Sequence, residues 1–136
     1  MRGSTLLEFA IAWPIMLLLV LGAVQLSILA VEDYSARAAA VAGARAGSAT
    51  GGTTQGAEAM AVNALNPSLV GVRAVAYCAS DDHAAPPPLW VCAESSPTEV
   101  TVTIGGTVPT IIPLLRLARG VDLTAQATIR REVFQP

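Results

Sequence analysis

Few side chains in this 136-residue chain could do chemistry, and their spacing narrows the choice. Glu8 comes first, because a carboxylate directly before an apolar run is costly to bury and calls for a partner. At the first turn of a helix the macrodipole alone would favour such an acid by about 0.3–1 kcal/mol. Cys78 and Cys92, with 13 residues between them, are too far apart for a C-x-x-C redox pair. They are free thiols in a reducing compartment or one disulfide in an oxidising one. Asp81, Asp82 and His83 are the one cluster of metal-ligand types, but three adjacent side chains point in different directions and no matching His or carboxylate pattern occurs elsewhere. That cluster reads as a solvated loop. His83 is the only histidine and lacks a nucleophile-elbow signature around it, while Gly51, Gly52 and Gly56 lack the lysine of a phosphate loop. These residues imply no enzyme, no metal and no cofactor.

The elements that must position Glu8 are written in the composition. The chain is 53% hydrophobic with a mean hydropathy of +0.56 and only 13% charged residues, outside the balance of a soluble globular protein. Phe9 to Val31 is a run of 23 residues without a charge, interrupted by Gln25 and Ser27. As a helix it would be about 34 Å long, enough to cross a hydrocarbon core of about 30 Å. A chain of this size has too little other material to bury such a rod on all sides. A cleaved secretory signal would have a shorter apolar core and a small-residue cleavage site, whereas this run continues into Glu32, Asp33, Tyr34 and an alanine-rich helical stretch. Arg2 precedes the span and Glu32 and Asp33 follow it, so the positive-inside rule puts the N-terminus in the cytoplasm and the rest outside. Outside, a Cys78–Cys92 disulfide is expected to stabilise by up to ~3 kcal/mol. Eight basic residues, all arginine, against ten acids leave a net charge of −2, and aromatics are 4%; neither fits nucleic-acid binding.

Beyond the span, Ser35 to Ala49 is alanine-rich and extends the helix. Ala36, Ala40, Gly43 and Gly47 form a small-residue stripe suited either to another subunit's helix or to this chain's own sheet. Gly51 and Gly52 end the helix; Thr53 or Thr54 caps a second, running to about Leu65 before Asn66 and Pro67. Val70 to Cys78 reads as a strand, Ala79 to Leu89 with Pro86–Pro88 as a loop, and Trp90–Cys92 as a short returning strand. Glu99–Ile104 and Leu123–Ile129 alternate as strands, with a helical turn from Pro113 to Arg119 stopped by Gly120. The fold class is α+β: a long N-terminal helix, then a small domain with a three- or four-stranded antiparallel sheet and one or two short helices.

The string Gly3, Ser4, Thr5, Leu6, Leu7, Glu8, Phe9 resembles the processing site of type IV prepilins, in which a membrane peptidase cuts after the glycine and a glutamate stands at the fifth position of the product. Glycine lets the backbone lie extended in a protease cleft. The wider stretch from Leu6 to Gly47, with Glu8–Phe9, Pro14 near the start of the apolar run, Ala36–Arg37 and Gly43–Ala44–Arg45, resembles the TadE-like minor pilins or pseudopilins of tight-adherence (Flp-type) pili. Where many relatives carry an acid late in the span, this chain has Gln25. The resemblance implies a leader of residues 1–3, an anchor and assembly helix over 4–50, and a periplasmic or extracellular domain over 51–136. It implies cleavage between Gly3 and Ser4, with Glu8 setting register against a neighbour's amine and Pro14 allowing the helix to bend. The implied partners are prepilin peptidase, a sister TadE/TadF-like protein, the major Flp pilin, an inner-membrane assembly platform and membrane lipid, in the service of adhesion, biofilm formation or secretion. Two other readings stand beside it. The exported domain is an adhesin tip, touching a surface through the Cys78–Cys92 loop with Trp90 and the prolines, or the chain is an uncleaved, signal-anchored protein unrelated to pili.

Overall fold

Residues 3–80, 85–110 and 120–131 are described in the computed structural model. The first element is one helix, α1 (Gly3–Ser48), with Pro14 inside it. At about 1.5 Å per residue it is a rod of about 69 Å. Its two halves meet different surroundings. From Leu6 to Val24 the apolar side chains face outward on all sides, with Leu19 still 69% exposed. From Gln25 onward one face is covered, at Gln25, Leu29, Glu32, Ala36, Ala39 and Ala40, Gly43 and Ala44, and Gly47. Steps of three and four residues place all of these on one side of the helix.

Gly51, at φ +79°, turns the chain back, a conformation that favours glycine. Thr53 then caps α2 (Thr54–Leu65), its side-chain oxygen accepting from the Gly56 amide at 3.0 Å. Thr53→Ala is expected to cost the domain about 1 kcal/mol in denaturant titration. A 3-10 turn, Asn66–Ser68, follows, with Pro67 inside it.

The strands are β1 (Val75–Ala76), β2 (Leu89–Ser95), β3 (Glu99–Val108) and β4 (Val121–Arg130), in one sheet of order β1-β2-β3-β4. β2–β3 and β3–β4 are antiparallel, in registers that set Val91 opposite Ile104 and Ile104 opposite Ala125. α1 lies across β3 and β4, α2 lies across β2, and the helices pack on each other. The core is the alanine face of α1 and α2 with Leu65, Leu89, Val91, Val102, Ile104 and Val108.

Two expectations need correction. The sheet is mixed, because β1 pairs with β2 in parallel, Val75 opposite Trp90 and Ala76 opposite Val91. A hairpin would have reversed the chain, but the long connection through Pro86–Pro88 brings β2 in from the same end. The strand expected from Val70 to Cys78 shrinks to two residues. Its backbone groups are satisfied elsewhere: the Val70 amide donates to Glu32, and Asn66 both accepts from the Ala74 amide and donates to the Ala74 carbonyl. Gly71 at φ +76° also breaks the extended path. The turn expected at Pro113–Arg119 and the Asp81–His83 cluster lie outside the described residues.

Candidate functional site

The candidate site is the helix itself, read from its N-terminus. α1 already begins at Gly3, so the Gly3–Ser4 bond lies in the first helical turn. A peptidase that needs an extended strand must unwind that turn, which glycine's low helix propensity makes inexpensive. Glu8 lies beyond the first turn and is exposed, so the first-turn dipole arrangement does not account for it. Phe9, also exposed, stacks on Trp13 with ring centroids 6.0 Å apart. Pro14 is one turn further on and lacks the amide that would bond the Ala10 carbonyl.

The small-residue stripe sits elsewhere. Ala36 and Ala40 are fully buried. A β-carbon added at Gly43 would lie 2.7 Å from the Ala57 carbonyl oxygen and 2.9 Å from the Ala61 β-carbon; at Gly47 it would lie 2.9 Å from Val100. The stripe is therefore occupied by this chain's own α2 and β3. Of the two uses left open for it, packing on the chain's own fold is the one seen.

Cys78 and Cys92 are joined by a disulfide with Cα atoms 4.9 Å apart, tying the end of the β1 segment to the middle of β2. Tyr77 adds a backbone bond to the Val91 carbonyl at 2.9 Å beside it. Glu58 of α2 approaches this bridge. Its Oε1 accepts from the Ala93 amide at 3.1 Å and stands 3.3 Å from Cys78 Sγ. Glu58 and the two sulfurs are within 4.8 Å of one another, the spacing of a metal site, but sulfurs bonded to each other offer no thiolate. Glu58 instead completes the edge of β2 where β1 has ended. Cys78→Ser with Cys92→Ser is expected to lower stability by about 2–4 kcal/mol, read as a shift in thermal midpoint under non-reducing conditions.

Two acids take roles that the sequence reading missed. Glu32, read as a charge flanking the span, is 2% exposed, and its Oε1 accepts from the Val70 amide at 3.2 Å. Its place on the covered face, four residues before Ala36, was a signal in the sequence. Glu58's role had none, since it depends on where β1 stops. Asp33, beside Glu32, pairs with Arg37 at 3.1 Å on the open side of the helix. Trp90 lies on the outer face of the sheet, its ring across Gly105. That position is on the returning strand expected there, two residues before Cys92 and so within the disulfide-closed segment.

Comparison with known proteins places the family signal on the same helix. The family model described as TadE-like protein matches residues 3–45. The match spans Glu8, Pro14 and both arginine patterns, and it points to a pilus-associated protein with one apolar N-terminal helix suited to a membrane anchor. No curated protein and no solved structure matches the chain.

Proposed function

From the TadE-like character of residues 3–45 we propose that this chain is a minor pilin or pseudopilin of a tight-adherence pilus. It enters the inner membrane as a single-pass precursor, N-terminus in the cytoplasm and residues 51–136 outside. Prepilin peptidase removes residues 1–3, and the helix then packs among pilin subunits to prime, cap or regulate assembly. Its partners are the major Flp pilin, a sister TadE/TadF-like protein and the assembly platform. The role is structural, not enzymatic.

One observation carries this reading. The apolar half of α1 is exposed up to Val24, while from Gln25 onward one face of the helix is packed on the chain's own domain. A rod built this way can exchange lipid for the helices of other subunits without disturbing the fold attached to it. The freed ammonium of Ser4 then supplies what an otherwise bare Glu8 carboxylate needs inside a low-dielectric bundle. The test is the mass of the N-terminal peptide from cells with an active prepilin peptidase. A chain starting at Ser4 is expected; intact Met1 together with a normal membrane location would overturn processing and favour a plain signal anchor.

A further inference from the structure

Where the span meets the domain, α1 and the turn after α2 enclose a groove of about 500 Å³, lined by Val20, Val24, Ile28 and Val31 on the helix and by Ser68 and Val70 on the turn. Its chemistry is dry. The two hydroxyls on its wall are both used inside the chain: Ser27 Oγ donates to the Ala23 carbonyl at 2.8 Å, and Ser68 Oγ donates to the Leu65 carbonyl at 2.8 Å. The turn's own amides are satisfied as well, Leu69 by the Asn66 carbonyl and Val70 by Glu32. A backbone segment can sit against hydrocarbon only when its donors are taken in this way. Val70 is nonetheless 45% exposed, an apolar side chain offered outward beside the helix.

Depth along the helix says what faces the groove. Counted from Glu8 at about 1.5 Å per residue, Ile28 is about 30 Å away, the thickness of a hydrocarbon core. Val20 to Ile28 therefore lies in the outer half of the bilayer, with Val31 and Val70 at its edge and the Asp33–Arg37 pair just beyond. The groove is continuous with the lipid-facing side of the span. We propose that acyl chains of outer-leaflet phospholipids fill it, so that before assembly the domain sits on the membrane with the Ser68–Val70 turn sunk to the acyl-chain boundary. Glu32 is the tether that holds this turn to the helix. The proposal rests on the reading of α1 as a membrane anchor.

The test uses the full chain in phospholipid vesicles whose lipids are brominated along the acyl chains. With the native cysteines joined to each other, Val70→Cys, Leu18→Cys and Thr50→Cys each carry one thiol for a bimane fluorophore; Ser68→Cys is a second position should the label at 70 disturb the turn. Bimane at 70 or 68 is expected to show at least about half the quenching seen at 18, because both contact hydrocarbon, while the label at 50 is unquenched. Quenching at 18 but not at 70 or 68 overturns the lipid-filled groove and leaves the anchor standing. It is also the outcome expected if a second copy of the chain fills the groove. Loss of quenching at 18 sinks the anchor and the groove together.

Discussion

Replacing Glu8 with alanine is expected to leave the chain inserted in the membrane and remove it from filaments. Nothing in the fold of the domain touches Glu8, which is exposed in the second turn of α1, so insertion and stability have no reason to change. What changes is assembly. In a helical bundle the amine of a processed neighbour would be left buried without its counter-charge, and breaking such a pair costs about 3–5 kcal/mol. That corresponds to a fall in incorporation of about two to nearly four orders of magnitude. Fractionation checks the first half of the expectation and immunoblotting of sheared filaments the second. Recovery of Glu8→Ala in filaments at the wild-type ratio would refute a register role.

The second large effect lies at the other end of the helix. Gly43→Ala is expected to destabilise the domain by about 1–3 kcal/mol, and Gly43→Val by more, because a β-carbon there meets the Ala57 carbonyl, which belongs to a helical backbone and cannot turn aside. Gly22→Ala is the internal control: nothing lies within 4 Å of its would-be β-carbon, so the same substitution on the same helix should be silent for domain stability. Denaturant titration in detergent checks both. Equal midpoints for the two alanine variants would mean that the stripe does not pack as described.

These two glycines also show what the sequence made legible and what it did not. The end of α1, the Thr53 cap, the length of α2 and the alternation of β3 and β4 follow from local rules: positive φ at glycine, a hydroxyl before a helix, apolar residues at every second position. The small-residue stripe was equally visible, but two kinds of neighbour suit a face without bulk, and only the assembled domain shows which one is there. The lost strand at Val70–Cys78 failed for a related reason. Its alternation is real, but Asn66 and Glu32 reach the backbone first, across eight and 38 residues of sequence, distances at which pattern carries no information. At the candidate site, the spacing of Glu8 from Gly3 is local and is therefore open to sequence reading, and the roles proposed for them rest on it. The burial of Glu32 and the approach of Glu58 to the disulfide depend on tertiary placement.

The division of α1 into a free apolar half and a half committed to its own domain is the premise on which the proposed role stands. Photo-crosslinking residues placed at Leu19 and at Tyr34 during pilus assembly test it directly, since both side chains point outward and differ only in the half they occupy. The account predicts crosslinks from position 19 to pilin subunits, in an amount well above those from position 34. Crosslinks from 34 alone, with position 19 reaching only lipid, would contradict it.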